Sequence, residues 1–356
     1  MHRFHFFATL GGVIDKFFTI LPKRARTALY RAVQSTSNET GRYGFAHATE
    51  KLAHLPIEEL RALQLDRLRD TLIYADEKVP YWRDLFKREG FDPRGVRKTT
   101  DVETLPFLTK DIIRAEGHRM ISSDYDKSRL VVRKTGGSTG EPLKFWIDRE
   151  SLERQMAVNL RGFRLLGLRD DDRVAKIWGY GKDQRLGNLF SPFSSRIFID
   201  AFYTSDSHME RWYEQLVRFQ PKAIYGYAGA ISHFARFLQR TGRPSPLSDL
   251  EVVCTTSEKM FPEMREVIGE AFGVPVADMY GCHESVRIAS DCLRGNMHIH
   301  MDGTLTEFVR EEGVEQGPAK IVITPLLARA MPLIRYDVGD MGTEHSESCP
   351  CGLELP

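Results

Sequence analysis

Hydrophobic residues recur along the chain with two different periods. Within residues 51–90 leucines repeat at helical spacing among many charges and Pro80 interrupts the pattern, which predicts helical structure there. Further along, short apolar runs typical of buried strands alternate with segments of helical periodicity. The predicted strands are 130–132, 143–147, 174–178, 223–227, 250–254 and 274–281, and the predicted helices are 150–166, 208–219, 229–240 and 261–272. This alternation predicts an α/β layered fold with a parallel sheet.

The pattern changes near residue 297, where consecutive strands follow one another without a helix between them. These strands are predicted at 297–301, 304–310 and 319–324. Consecutive strands favour an antiparallel arrangement, so we expect an antiparallel β subregion near the C-terminus. The predicted organisation is an N-terminal helical segment (1–100) that packs on an α/β core (101–356), within which residues 292–356 form the β-rich subregion.

The first 31 residues carry six basic residues against a single acidic one, Asp15. Apolar residues between Phe7 and Leu21 follow helical spacing, so one face of such a helix would be apolar. One interpretation is a helix that makes weak peripheral contact with anionic membrane lipid. The other is a helix docked on the body of the protein. Asp15 and Lys16 interrupt the apolar run, which argues against a cleaved signal peptide.

Composition narrows the class of protein. The chain has 356 residues, with 50 Lys plus Arg against 49 Asp plus Glu, and this balance argues against a nucleic-acid binder. No run of about 18 uncharged apolar residues predicts a membrane span. The five cysteines are sparse and odd in number, unlike a secreted disulfide scaffold. We therefore expect a cytoplasmic α/β protein.

A glycine-rich segment, Lys134-Thr-Gly-Gly-Ser-Thr-Gly-Glu-Pro142, follows the first predicted strand. Glycines let backbone amides approach an anion closely, and hydroxyl groups can donate to phosphate oxygens. The segment is not a Walker A loop, because Glu141 stands where that motif requires lysine. Such a segment alone is usually an ordinary loop, but its position after an apolar strand makes a phosphate-binding loop an equally good interpretation.

Three further motifs follow in order. They are Thr255-Thr-Ser-Glu-Lys259, Asp278-Met-Tyr-Gly-Cys-His-Glu284 and Met331-Pro-Leu-Ile-Arg-Tyr-Asp-Val-Gly-Asp340. The first two come directly after predicted parallel strands, and α/β folds bind ligands at the carboxyl ends of such strands. Each motif alone is a weak signal.

Together the motifs resemble the phenylacetate–CoA ligase and capsule-biosynthesis branch of the adenylate-forming (AMP-binding) superfamily. The resemblance covers roughly residues 50–352. It includes Leu105-Pro-Phe-Leu-Thr-Lys110, the Thr-Gly-Gly-Ser-Thr-Gly loop, Tyr225-Gly-Tyr227, Ser257-Glu258, Tyr280-Gly-x-x-Glu284 and Met331-Pro-Leu-Ile-Arg-Tyr336. It is the order of several motifs that makes the signal specific.

The resemblance implies a nucleotide site. The matching residues are Thr135, Gly136, Gly137, Ser138, Thr139, Gly140, Ser257, Glu258, Asp278, Met279, Tyr280, Gly281 and Asp340. Asp340 is expected to accept hydrogen bonds from the ribose hydroxyls. Glu284 is expected to help hold Mg²⁺, a cation that prefers oxygen ligands. Arg335 has two interpretations, a catalytic contact near the phosphate or Asp340, and a structural salt bridge.

The implied activity is that of an AMP-forming acid–thiol ligase. ATP would activate a carboxylic acid to an acyl-adenylate, and coenzyme A would then accept the acyl group. An alternative is a non-catalytic or partner-dependent nucleotide- or acyl-binding protein in capsular polysaccharide biosynthesis. The expected partner is a small-molecule carboxylic acid, and a homodimer is left open.

Aromatic residues near the predicted strand ends suggest a substrate pocket. Tyr225, Tyr227 and His283, together with Trp178 and Tyr180, could line a pocket for a flat aryl acid. The alternative is that these aromatic residues pack the sheet.

Cysteine and histidine spacing in the last third predicts a structural zinc site. Cys292, His298, Cys349 and Cys351 supply four ligands, the usual number for structural zinc. A similar pattern belongs to part of the resembling branch. His300 and His345 compete with His298 as ligands, and the alternative is that the cysteines bind no metal.

The chain departs from the family pattern at its end. Adenylate-forming enzymes carry a C-terminal lid domain that supplies a lysine for adenylation. The sequence stops at Pro356, before the expected hinge, so no catalytic lysine is assigned. The lid is expected to be absent from this chain, which leaves open a truncated and inactive form.

Overall fold

The fold was analysed in a computed structural model. The structure describes residues 49–134, 142–179, 195–243, 245, 247–311, 313–314, 317–345 and 349–356. The predictions for residues 1–31, for Tyr180 and for the loop Thr135–Gly140 lie outside these described residues.

Helices and strands alternate through most of the described chain. The helices are α1 (Ile57–Lys78), α2 (Pro80–Glu89), α3 (Lys110–Glu116), α4 (Arg149–Leu165), α5 (Asp206–Phe219), α6 (Ala228–Arg240) and α7 (Pro262–Phe272). The strands are β1 (Val131–Lys134), β2 (Lys144–Ile147), β3 (Val174–Trp178), β4 (Arg196–Asp200), β5 (Ala223–Tyr227), β6 (Val252–Thr256), β7 (Val276–Tyr280), β8 (Ala289–Asp291), β9 (Met297–Ile299), β10 (Thr304–Val309), β11 (Ala319–Pro325) and β12 (Tyr336–Gly342).

The helical stretch predicted at 51–90 is two helices. Leu60, Leu68 and Leu72 recur on one face of α1 and are fully buried, as helical spacing requires. Pro80 ends this helix and begins α2 at its first position, where proline's missing N–H costs no hydrogen bond. No described helix is long and apolar enough to cross a membrane.

The chain divides into two compact units. The first unit comprises Phe163–Met279 and Asp291–Gly295. The second unit comprises the described residues up to Gly162, Tyr280–Ser290 and Asn296–Pro356. The predicted boundary near residue 100 stays a prediction.

A parallel sheet forms the centre of the first unit. Its strands lie in the order β4-β3-β5-β6-β7, and every neighbouring pair is parallel. Residues on both faces of β5 and β6 are buried, as expected for a parallel sheet covered by helices. Within β5 the backbone approaches its neighbour so closely that a Cβ at Gly226 would lie 2.1 Å from the Ile177 carbonyl oxygen. The predicted α/β fold is confirmed.

Antiparallel strands characterise the second unit. β1 and β2 pair with each other, and β10, β11 and β12 form an antiparallel sheet. A hydrophobic core that includes Trp82, Phe86 and Tyr336 packs this unit. The predicted antiparallel strands 304–310 and 319–324 are therefore confirmed as β10 and β11, and β12 extends them beyond the prediction. The strand predicted at 297–301 is β9, which lies beside β8 and outside this antiparallel sheet.

A buried ion pair lies at the centre of the second unit. A guanidinium nitrogen of Arg161 on α4 donates to Asp302 Oδ1 at 2.6 Å, and both side chains are fully buried. The same guanidinium group contacts His300 Nδ1 at 2.9 Å, and His300 Nε2 lies 3.0 Å from Ser290 Oγ. Removing one member of such a pair leaves an uncompensated charge in a low-dielectric interior.

Replacing Asp302 by asparagine removes the negative charge and keeps the shape of the side chain. We expect Asp302→Asn to lower the free energy of unfolding by about 3 kcal/mol, measured by urea denaturation. The control is Glu77→Gln, which breaks the exposed pair with Arg94 (2.6 Å) in the same unit and should cost less than about 1 kcal/mol. Equal effects of the two variants would contradict the importance of the buried pair.

Candidate nucleotide and metal sites

The Tyr-Gly-x-x-Glu motif forms a tight loop after β7. The Val286 amide donates to the Cys282 carbonyl at 2.7 Å, and the Ile288 amide donates to the Tyr280 carbonyl at 3.0 Å. A Cβ at Gly281 would lie 2.1 Å from the Val286 carbonyl oxygen, so the motif requires glycine there. Val286 has a φ of 61°, a left-handed conformation that β-branched residues rarely adopt. These contacts hold the loop in one shape.

Glu284 lies at the centre of this loop and is only 5% exposed. The hydroxyl group of the fully buried Tyr336 donates to Glu284 Oε1 at 2.7 Å. Burial, and then the charge of Glu284, raises the pKa of the Cys282 thiol, which therefore stays protonated near neutral pH. Burial lowers the pKa of Arg133, and the charge of Glu284 opposes this effect. The carboxylate thus has neutral donors and a nearby cation.

A second tyrosine–carboxylate pair lies in the second unit. The Tyr280 hydroxyl group donates to Asp340 Oδ2 at 2.9 Å, and Asp340 is exposed. Burial, and then the charge of Asp340, raises the pKa of Tyr280, so this phenol remains a donor. The predicted ribose ligand therefore presents an ionisable carboxyl group at the surface of the second unit.

Arg335 points into the second unit. Its guanidinium group forms a salt bridge with Glu307 at 2.9 Å and donates to the carbonyl oxygens of Glu103 (2.8 Å) and Leu105. The residue has a φ of 51°, and its amide donates to Thr324 Oγ1 at 3.0 Å. This geometry matches the structural interpretation of Arg335, while its catalytic role stays a prediction.

The predicted nucleotide residues Ser257, Glu258, Asp278 and Met279 lie in the first unit. Asp278 Oδ1 accepts from the Thr255 hydroxyl group at 2.8 Å, and the Met279 carbonyl accepts from Thr256 at 2.7 Å. Asp291 Oδ2 in turn accepts from the Asp278 amide at 2.8 Å. These hydrogen bonds fix the ends of β6 and β7 relative to each other. Asp291 was not singled out in the sequence, because no motif marks it.

Ser257 and Glu258 follow β6 directly. Ser257 has a φ of 67°, which turns the chain sharply at the strand end. Glu258 Oε2 accepts from the Gly229 amide at 2.6 Å, close to the first turn of α6. A Cβ at Gly229 would lie 3.0 Å from the same oxygen, so the small residue allows the approach. The carboxylate caps a helix start in this structure.

Aromatic side chains cluster at the ends of β3 and β5 in the first unit. The Trp178 ring lies 5.6 Å from the ring of Tyr225 and 4.7 Å from that of Tyr227, centroid to centroid. Tyr225 is buried against the sheet, whereas Tyr227 and Trp178 are half-buried. His283 is a largely exposed residue of the second unit. Partial desolvation of its ring, and then the charge of Arg133, lower its pKa. The predicted pocket residues are therefore distributed over both units.

Three predicted zinc ligands meet in the second unit. The ligand atoms of His298, Cys349 and Cys351 lie within 4.8 Å of one another. His298 Nδ1 lies 2.6 Å from the Leu355 carbonyl oxygen, which makes Nδ1 the protonated nitrogen and turns Nε2 toward Cys351 Sγ at 3.3 Å. Burial opposes ionisation of Cys349, but hydrogen bonds from Asn296 and Cys351 outweigh it and lower the pKa of this thiol to about 6.

Cys292, the fourth predicted ligand, belongs to the first unit. Its sulfur accepts from the Arg294 amide at 3.4 Å, and the residue is buried. Its participation in a metal site stays a prediction. Of the competing histidines, His300 is engaged with Arg161 and Ser290, and His345 is exposed.

Comparison with known proteins gives several similar sequences. No family model matches the chain. A phenylacetate–coenzyme A ligase of Thermus thermophilus is 28% identical over 313 residues, covering 85% of this chain and 69% of that protein. One from Escherichia coli is 25% identical and covers 80% of this chain and 67% of that protein. The chain is similar in sequence to phenylacetate–coenzyme A ligases over 80–85% of its length.

Two further matches extend this relationship. The protein CapK of Staphylococcus aureus is 21% identical and covers 83% of this chain. A crystal structure of 2-hydroxyisobutyryl-CoA ligase shares the fold, with a TM-score of 0.70 at 21% identity over 85% of this chain and 68% of that one. The chain spans about two thirds of the length of these relatives. The resemblance to the phenylacetate–coenzyme A ligase branch is thus confirmed.

The Tyr-Gly-x-x-Glu loop leaves no room for a side chain at Gly281, and this can be tested. We expect Gly281→Ala to destabilise the protein by about 1–3 kcal/mol, because its new Cβ collides with the Val286 carbonyl. Gly269→Ala is the control: it lies in α7, where the nearest atom to a new Cβ is 3.9 Å away, and should stabilise by about 0.5 kcal/mol. Thermal unfolding measures both changes. A Gly281→Ala protein as stable as the unmodified one would contradict the steric argument.

Proposed function

We propose that the protein uses ATP to activate a carboxylic acid as an acyl-adenylate and then transfers the acyl group to coenzyme A. The observation that carries the proposal is the sequence relationship to phenylacetate–coenzyme A ligases over 80–85% of this chain. The site geometry supports it, because the two carboxylates that match the family motifs, Glu284 and Asp340, are each held by a tyrosine hydroxyl group.

The residues of the second unit fit a nucleotide bound with Mg²⁺. Glu284 offers carboxylate oxygens, which are the hard ligands that Mg²⁺ prefers, and Tyr336 hydrogen-bonds only to Oε1. When bound, the ion would offset the negative charge of the phosphates. Asp340 would accept hydrogen bonds from the ribose hydroxyls, and the loop Thr135–Gly140 would follow the triphosphate.

The reaction requires positioning rather than side-chain acid–base chemistry. A carboxylate oxygen of the acid attacks the α-phosphorus, and pyrophosphate leaves with the electron pair of the broken P–O bond. The thiolate of coenzyme A then attacks the acyl carbonyl, and AMP leaves. Both steps bring anions together, so a site that orients the reactants and neutralises charge supplies most of the acceleration.

We infer a flat aryl acid as the substrate class. Trp178 and Tyr227 are half-buried and lie side by side at the carboxyl ends of β3 and β5, where α/β folds bind ligands. Aromatic faces pack well against aromatic rings. Tyr225 is 9% exposed and belongs to the hydrophobic core of the sheet. In such a pocket it would pack behind Trp178 rather than contact the acid directly.

We further propose that zinc binds to His298, Cys349 and Cys351, with Cys292 as the fourth ligand. Thiolate sulfur and imidazole nitrogen form the donor set typical of structural zinc. The lowered pKa of Cys349 and the fixed tautomer of His298 support the metal-binding forms of both residues. A cytoplasmic location, where thiols stay reduced, belongs to the same proposal.

Three expectations remain predictions. They are the weak membrane contact of residues 1–31, a homodimer, and the non-catalytic role in polysaccharide biosynthesis. CapK is 21% identical to this chain. This similarity does not make the non-catalytic role better supported than the ligase activity.

Pyrophosphate release tests the enzymatic proposal. We expect purified protein with ATP and Mg²⁺ to release pyrophosphate only when a suitable acid is added from a panel of aryl and alkyl carboxylic acids. Nucleotide binding without release for any acid would favour the non-catalytic alternative.

A pair of variants on β12 tests the assignment of Asp340. Asp340→Asn weakens an acceptor for the ribose and should raise the KM for ATP about tenfold, with little change in the KM for the acid. Asp337→Asn is the matched control on the same strand, since Asp337 instead pairs with Lys320 at 3.1 Å. Equal KM values for ATP in both variants would contradict the assignment.

Metal analysis tests the zinc proposal. We expect about one zinc per chain in purified protein, falling sharply in Cys351→Ser and in Cys292→Ser. His345→Ala is the control and should retain the metal, because His345 is an exposed competing histidine. Less than roughly a tenth of a zinc per chain in the unmodified protein would reject the site.

A further inference from the structure

The partners of the buried carboxylates in this protein differ in charge. Asp302 is paired with Arg161 at 2.6 Å, and Glu307 with Arg335 at 2.9 Å. In the first unit Asp291 is paired with Arg265 at 2.7 Å. In each of these pairs an arginine compensates the negative charge of the carboxylate, which is the usual way to keep such a group out of water.

Glu284 is similarly withdrawn from water but has a different partner. Its side chain accepts from the phenol of Tyr336. The charge of nearby Arg133 interacts with that of Glu284, but the two form no ion pair among the described contacts. A phenol satisfies a lone pair of the carboxylate without cancelling its charge. The carboxylate therefore keeps its affinity for a cation that approaches from outside.

The surroundings make Tyr336 a rigid donor. Its side chain is fully buried in the hydrophobic core of the second unit. Its backbone pairs with Ile323 of β11 and forms a bridge to Leu108, and the Asp337 amide donates to the Leu108 carbonyl at 2.9 Å. Burial, and then the charge of Glu284, raises the pKa of Tyr336, so the hydroxyl group stays protonated.

The loop that carries Glu284 is held from other sides as well. Gln155 Nε2 donates to the Glu284 carbonyl at 3.4 Å, and Ser285 Oγ lies 2.7 Å from Thr304 Oγ1. These contacts fix the backbone of the loop. Among the contacts described here, the Tyr336 hydroxyl group is the one that reaches the carboxylate from another strand, 52 residues away in the chain.

We propose that Tyr336 is a positioning residue for Glu284, whose hydroxyl group fixes the carboxylate in the orientation that receives the cation of a metal–nucleotide complex. This inference rests on the proposed function, because it assumes that the site binds ATP together with a divalent cation. It assigns a role to a residue that the motif comparison left without one.

The test measures ATP binding by calorimetry with Mg²⁺ and, separately, with excess EDTA. Tyr336→Phe removes only the hydroxyl group. We expect it to weaken binding of ATP with Mg²⁺ about tenfold and to leave binding in EDTA within about twofold. Tyr74→Phe is the matched control, since its hydroxyl group also makes a partly buried hydrogen bond, 2.6 Å from Ser122 Oγ, and it should change neither value.

A double-mutant cycle with Glu284→Gln keeps the test independent of stability. If Tyr336 acts through Glu284, Tyr336→Phe should add no further loss of Mg²⁺-dependent binding in the Glu284→Gln background. Equal weakening with Mg²⁺ and with EDTA, or additive effects in the cycle, would overturn the proposal. If the unmodified protein bound no ATP under either condition, the proposed function itself would fail and this inference with it.

Discussion

Charged groups withdrawn from water decide how each unit of this protein is built. Burying a carboxylate without a donor costs several kcal/mol, so each one named here lies where a donor from a distant segment can reach it. Arg161 reaches Asp302 across 141 residues of chain, and Arg335 reaches Glu307 across 28. Such pairs act as long-range restraints, because moving either segment exposes an unpaired charge to a low-dielectric interior. The first pair joins α4 to the turn before β10, and the second joins β10 to the segment before β12.

Neutral donors also orient the motif carboxylates, whether these are buried like Glu284 or exposed like Asp340. Threonine and tyrosine hydroxyl groups donate to Asp278, Asp340 and Glu284. A neutral donor orients a carboxylate and preserves its charge, and a preserved charge is what a cation or a sugar hydroxyl group needs from a ligand. Glu284 thereby differs from Asp302 and Glu307, whose carboxylates are each paired with an arginine.

Local elements were predictable because their signals are local. Strands β3 and β5 were predicted at their observed bounds, since a buried apolar run is bounded by polar or turn residues. Strand β4 was missed, because Arg196–Asp200 has charged ends and only three apolar residues between them. Pairing across the chain was not predictable: nothing in the spacing of Tyr336 and Glu284 indicates that they touch. Motif resemblance located the candidate site residues, whereas their hydrogen-bond partners emerged only from the fold.

Backbone strain marks the same places as the motifs. Among the described residues, four that are not glycine have a positive φ: Gln220, Ser257, Val286 and Arg335. Gln220 ends a helix, where this conformation is common. Ser257 and Arg335 lie in the motifs at 255–259 and 331–340, and Val286 lies two residues after the motif at 278–284. A left-handed backbone at a valine or an arginine costs on the order of 1–3 kcal/mol and persists only where surrounding contacts require it. These three residues set the direction of the chain next to Glu258, next to Glu284 and at the start of β12.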